Sequence, residues 1–182
     1  QSSEARFQAI FSRSSLGMLI VDPQLHIIEA NPHALQLLDQ NENTLCGNTI
    51  TSIVKPEHAP TLERTLRNLF GQDTSGTAIE LECTRGGQDS FWAELEFAAM
   101  SDTAGIPRFV AAIVQDISQR KALADVLHHN ATHDYLTGLI NRREFEGRLA
   151  EYLQSARPST PHAVAYFDLD QFKLINDACG HS

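Results

Sequence analysis

The chain has 182 residues, 42% of them hydrophobic, and a net charge of −9. That size and mix fit a folded, soluble protein of one large or two small domains, with no low-complexity segment and no internal repeat. The acid excess sits in residues 1–118, with 7 basic against 15 acidic side chains, while 119–182 carry 7 against 8; an acidic front half argues against nucleic acid as a partner, because phosphate binding needs clustered positive charge.

Cys46, Cys83 and Cys179 have neither a pair pattern nor metal spacing, so they read as reduced, partly buried thiols of a cytoplasmic protein. The longest apolar run, Phe109 to Val114, falls far short of the roughly 20 residues that cross a bilayer, and no signal peptide opens the chain; no membrane contact is expected in this segment. The first residue is Gln rather than Met, from which a piece of a longer parent is expected, with room upstream for membrane spans.

In chain order, Gly17 to Val21 is an apolar strand that stops at the turn pair Asp22-Pro23, and His26 to Ala30 returns as its hairpin partner. Asn31 can cap a helix with Pro32 at its first position, whose buried side is Ala34, Leu35, Leu37 and Leu38. A longer amphipathic helix is expected over Glu57 to Phe70, with Leu62, Leu66 and Leu69 on one face and Gly71 at its end. Three strands follow: Thr77 to Thr84, Ser90 to Met100 and Arg108 to Asp116. In the middle one Phe91, Ala93, Leu95 and Phe97 alternate with Trp92, Glu94 and Glu96, the period-two pattern of a sheet with one wet face.

This succession, with its Asp-Pro hairpin, the Ala-Asn-Pro step at 30 to 32 and the closing Asp116-Ile117-Ser118, resembles a PAS domain. The resemblance implies a five-stranded antiparallel sheet with flanking helices over residues 1–118, and gives Asp116 a structural and coupling role at its exit. PAS cores commonly hold a ligand. The Asn-Cys-Arg-Phe-Leu signature of flavin-binding light sensors is absent, and Leu45-Cys46-Gly47-Asn48 does not replace it. His58 lies thirteen residues before Gly71, whereas haem-binding relatives place theirs about ten before. Neither haem nor flavin is expected, and the ligand stays unknown.

Gln119 to His133 lacks Gly and Pro and reads as a connecting helix. Leu123, Val126, Asn130 and His133 fall at a and d spacing over only two heptads, which reads as a parallel dimerising coil with Asn130 setting the register or as a plain amphipathic helix. His128, His129 and His133 read as a solvated helix face rather than a metal site. In the last part, 134–182, Asn141 followed by Glu144 resembles a capping box that opens a helix with Phe145, Leu149, Tyr152 and Leu153 as its core face. Ser155 to Pro161 is the loop out. A strand from His162 to Phe167, buried on both faces, then ends in two carboxylates, Asp168 and Asp170, and runs into a helix carrying Lys173 and Asn176, with Gly180 as its stop.

Phe167-Asp168-Leu169-Asp170 and the residues after it, together with Asp134-Tyr135-Leu136-Thr137-Gly138-Leu139 and Asn141-Arg142-Arg143 upstream, resemble the GGDEF family, the diguanylate cyclases that join two GTP into cyclic di-GMP. The fold expected over the whole chain is therefore α+β: a PAS domain, a connecting helix, and the start of an α/β GGDEF domain. For the connecting helix, resemblance to sensor and cyclase fusions, which often join their domains this way, implies the coil. The resemblance makes Asp168 and the backbone carbonyl of Leu169 ligands of Mg2+ or Mn2+, and places the amides around Phe172 and Lys173 near the phosphates of the GTP substrate. It gives Asn176 a hydrogen-bonding role with guanine. By spacing alone Asp170 faces the metal if the strand continues and caps the helix if it does not. Lys173, in a first helical turn, is placed against the helix dipole unless an anion balances it. Asp134 either braces the Thr137-Gly138 turn or couples linker to catalytic domain; Arg142 and Arg143 read as bracing or surface charges.

The chain ends at Ser182, before the Gly-Gly-Asp/Glu-Glu-Phe hairpin that names the family, so the 182 residues alone are expected to be inactive. The leading expectation is a PAS-regulated diguanylate cyclase acting as a homodimer through the PAS domain and connecting helix. The alternative is a degenerate GTP-binding module ahead of a cyclic di-GMP phosphodiesterase domain; by itself the segment reads as a PAS dimeriser.

Overall fold

Five strands, β1 (Gly17–Val21), β2 (Ile27–Ala30), β3 (Thr77–Arg85), β4 (Asp89–Ser101) and β5 (Pro107–Asp116), pair antiparallel in the order β2-β1-β5-β4-β3. The computed structural model describes residues 2–71, 76–86, 89–155, 163–168 and 170. Two compact units, residues 1–128 and 129–182, divide the chain.

In the first unit the register pairs Gly17 with Val114 and Val21 with Val110. The start of the first strand thus lies beside the end of the last one. The helix that precedes the sheet, α1 (Ser2–Arg13), was not expected from sequence; the connecting helix α5 (Ser118–Thr132) follows at the end it was expected to occupy. Alternation along each strand sends Leu19, Val21, Leu81, Cys83, Phe91, Ala93, Leu95, Phe97, Val110, Ala112 and Val114 to one face. Three helices and a 3-10 turn cover it: α2 (Pro32–Leu38), α3 (Glu42–Leu45), Ile50–Ile53 and α4 (Ala59–Gly71). Leu62, Leu66 and Leu69 of α4 are buried together, as their spacing predicts, and full burial of each contributes about 1.5–3 kcal/mol.

The β1–β2 turn forms because the Asp22 carboxylate accepts the His26 amide at 2.8 Å and the Leu25 amide bonds the Asp22 carbonyl. The close packing of α2 on β1 depends on Gly17. A methyl there would meet the Val114 carbonyl oxygen at 3.0 Å and the Ala34 Cα at 3.3 Å.

In the second unit, helix α6 (Arg142–Ser155) starts where expected, capped by Asn141. Two expectations fail. The face predicted to be its core is open: Phe145, Tyr152 and Leu153 are exposed. Residues 163–168 carry no strand, and Tyr166 and Phe167 are 94% and 90% exposed. A strand exists only through ladder hydrogen bonds to a neighbour, and an apolar helix face is buried only against another element. Among the described residues neither partner is present.

Candidate functional site

Asp168 ends the 163–168 segment, which has no regular structure, with its side chain exposed, and Asp170 lies in a turn, also exposed. Leu169, Phe172, Lys173, Asn176, Cys179 and Gly180 lie outside the described residues, as does the loop expected after Ser155. Asp134 stands apart from this segment in sequence and organises its own turn. Its Oδ1 accepts the Thr137 hydroxyl at 2.8 Å, the Thr137 amide at 2.9 Å and the Leu136 amide at 3.2 Å. Gly138 takes φ +69° to close the loop. These donors, the Thr137 hydroxyl foremost, hold the Asp134 carboxyl below its ordinary value because they bond its charged form. Asn141 ties the loop to the helix before it, its Nδ2 donating to the Ala131 carbonyl at 2.8 Å while Oδ1 caps the Glu144 amide at 2.9 Å. Glu144 does not return the bond to complete a capping box; it pairs with Arg148 at 2.6 Å. Arg142, read as a bracing or surface charge, pairs with Glu146 at 2.7 Å on the exposed helix face.

In the first unit the exit of the sheet is built around Asp116. Its carboxylate receives the Arg85 guanidinium from the end of β3 and accepts the Ser118 amide at 2.8 Å. The Ser118 hydroxyl in turn accepts the Trp92 amide at 3.0 Å. One turn on, Arg120 reaches Glu80 at 3.0 Å and Glu94 at 3.4 Å, and Lys121 reaches Glu80 at 2.7 Å with its ammonium 4.2 Å from the Trp92 ring centroid. The first turn of α5 is therefore pinned to the wet face of β3 and β4. Lys121, then Arg120, hold Glu80 below the ordinary carboxylate value. Sequence reasoning found Asp116 and missed Arg85, Arg120, Lys121 and their acids. The signal available was the alternation that puts Glu80, Trp92 and Glu94 on one face; what it lacked was the register that sets β3 beside β4.

A second cluster joins the segment just before α4 to the sheet. Glu57, His58 and Glu82 lie close enough to share a cation, and Lys55 already fills that role, 2.6 Å from Glu82. The bond to Glu82 raises the Lys55 pKa. Burial pushes the Cys83 thiol up to about 12, with the Asp116 charge adding to it. Cys46 is only partly buried and is raised by the same cause. The other face of the sheet carries a largely apolar groove lined by Met18, Ala78, Glu96, Ala98, Ala111 and Ile113.

This fold and the comparisons agree. Residues 15–119 match the family model described as PAS domain, and the chain belongs to that family. Residues 131–182 match the model described as diguanylate cyclase, GGDEF domain, so a PAS domain is followed here by the opening of a GGDEF domain. The probable diguanylate cyclase DgcE of Escherichia coli K12 is 30% identical across 100% of this chain, which spans 17% of it. The diguanylate cyclase DgcM of the same organism is 29% identical, again across 100% of this chain and 43% of its own length. The cyclic di-GMP phosphodiesterase PdeB of Shewanella oneidensis is 47% identical over 38% of this chain and 8% of its own. The chain thus spans less than half the length of these relatives. Among solved structures, the PAS domain of a Colwellia psychrerythraea protein superposes with TM-score 0.60 at 14% identity, covering 66% of this chain and all of that one. The PAS domain of an HTR-like protein from Haloarcula marismortui gives 0.53 at 20%, covering 64% and 93%. At such identities the likeness is one of fold.

Proposed function

We propose that these residues are the sensor, connecting helix and opening catalytic segment of a diguanylate cyclase, which joins two GTP into cyclic di-GMP under control of the PAS domain. The observation that carries this reading is the order of a PAS match and a GGDEF match on one chain, aligned along its whole length with relatives named as cyclases. We keep the division of the chain at 118 and 134, with α5 as the connector.

The reaction requires attack of a ribose 3'-hydroxyl on an α-phosphorus with pyrophosphate leaving, and it is governed by positioning and charge neutralisation. Exposed carboxylates at 168 and 170 supply the hard oxygen donors that suit Mg2+ or Mn2+. Asp168 and the Leu169 carbonyl would hold the ion, which when bound offsets triphosphate charge. The amides at Phe172 and Lys173 would bind phosphate, and the Asn176 amide, donor and acceptor together, would read the guanine edge. Asp134 and Asp116 position the two ends of the connector rather than touch substrate. The 182 residues, which do not include a Gly-Gly-Asp/Glu-Glu-Phe sequence, carry no synthesis by themselves on this reading.

The protein acts in the cytoplasm as a homodimer. Exposed Leu123 and Val126 on α5 and the apolar groove of the sheet supply surface for a second copy. No helix among the described residues is long and apolar enough to cross a membrane. The test of the site is Asp168→Ala in the full-length parent: conversion of GTP to cyclic di-GMP is lost while circular dichroism is unchanged. Wild-type turnover in that variant overturns the assignment. Elution of the chain as a monomer at high concentration overturns the dimer.

A further inference from the structure

His129, in the last turn of α5, and His133, the first residue after it, lie one turn apart, and the cyclase reading leaves both unused. His129 and His133 stack with ring centroids 4.1 Å apart and planes 16° from parallel. The helix ends at Thr132 and His133 bridges to Ile140, while the His133 amide still bonds the His129 carbonyl at 2.8 Å. His129 is exposed and His133 half-buried. The Thr132 hydroxyl donates to the His129 carbonyl at 3.3 Å, and its oxygen lies 2.9 Å from His133 Nδ1. In the tautomer whose Nδ1 donates to the hydroxyl oxygen, the lone pair of the neutral His133 ring falls on Nε2. A histidine held through one nitrogen with the other left as a base is the arrangement of a metal ligand.

We propose that His129 and His133 form a binding site for a first-row divalent transition metal such as Zn2+. Two imidazoles at i and i+4 of a helix lie on one face and converge on a single ion. Tetrahedral Zn–N bonds of about 2.0–2.1 Å need nitrogens about 3.3 Å apart. The rings stack with planes 16° from parallel, so both side chains must turn about their χ angles to aim their in-plane lone pairs at one ion. Imidazole ligands exclude Mg2+, which takes oxygen donors, so this site is separate in chemistry from one at Asp168. Water completes the coordination. Because the two rings align only while the backbone is helical, the ion stabilises the last turn of α5, immediately before the Asp134 loop. The Glu57, His58 and Glu82 cluster carries no such inference, because the Lys55 ammonium already occupies the Glu82 carboxylate.

The experiment is calorimetric titration of the untagged chain with zinc chloride, with magnesium chloride as comparison. One zinc per chain is expected at this pair, and a fall of about tenfold or more in affinity in His129→Ala and in His133→Ala. His129→Gln and His133→Gln, which keep polarity and bulk, behave the same way, and circular dichroism of all four retains the helical signal. Zinc raises the melting temperature of the parent chain and of His58→Ala and His128→Ala, and leaves that of the His129 and His133 variants unmoved. Absence of zinc uptake by the parent chain, wild-type affinity in a His129 or His133 variant, or loss of uptake in His58→Ala alone overturns the proposal.

Discussion

Arg85, at the end of β3, holds the Asp116 carboxylate at the end of β5 while its guanidinium carbon sits 4.5 Å from the Phe91 ring centroid. One side chain thus bridges the strand that closes the sheet and the start of the connector. Asp116→Ala removes both the ion pair and the acceptor for the Ser118 amide. The pair is partly exposed, so the expected loss is about 1–2 kcal/mol, most of it from the amide left uncapped. Asp116→Asn, which keeps an acceptor for that amide, loses about half as much. Urea unfolding of the three proteins checks the order; equal stability of the alanine variant and the parent chain contradicts the role given to Asp116.

Asn31 is fully buried and uses both ends of its amide. Oδ1 accepts the Met18 and Ala34 amides at 2.9 and 2.8 Å, and Nδ2 donates to the Phe11 and Leu16 carbonyls at 3.0 and 2.9 Å. Asn31→Ala strands several buried polar groups at once, an expected cost of about 3 kcal/mol or more. Asn31→Asp keeps the acceptor and loses both donors, so it is also strongly destabilised. A fall in denaturation midpoint no larger than that of an ordinary helix cap would show that water replaces these bonds.

Gly17→Ala tests the approach of α2 to β1. Its backbone is compatible with any residue, so the cost is steric alone, set by the carbonyl oxygen at 3.0 Å and the Ala34 Cα. Backbone atoms cannot swing aside as a side chain would, and a loss of about 1–3 kcal/mol is expected. Thermal unfolding of the variant at or above the parent's temperature would count against that packing.

The Asp134 loop gives a pH dependence with a definite sign. Hydrogen bonds lower the folded pKa below the ordinary 3.8. The stabilisation is therefore present above that value and fades as pH falls through the lower folded one. The stability difference between the parent chain and Asp134→Ala is expected to be constant at neutral pH and to shrink in acid below the ordinary carboxylate range. Denaturation measured across that window reads it, and a difference that instead vanishes as pH rises reverses the assignment.

Cys83, fully buried with its pKa pushed up to about 12, presents no thiolate near neutrality. Alkylation of the native chain at pH 8 is expected to leave it unmodified by mass spectrometry and to modify it fully in urea. Rapid native labelling at Cys83 would mean that β3 opens far more often than its packing implies.

The five strands of the PAS part and its helices α2 and α4 were legible in sequence because their information is local, whereas α1 and α3 were not expected. Alternation in Phe91 to Phe97 and the four-residue spacing of Leu62 and Leu66 name a strand and a helix, and Asn31-Pro32 names a cap, whatever surrounds them. Asp134 bracing the Thr137-Gly138 turn was equally visible, being a contact across three residues. Tertiary structure alone decided that Asn31 serves β1 and α1 as well as its own helix, and that Arg120 and Lys121 land on Glu80 and Glu94, because those partners come from chain segments tens of residues away. The strand expected before Asp168 and the core face of α6 show the converse. Apolar side chains record a need for burial, but pairing requires a second element within reach, and no pattern within one segment can provide its neighbour.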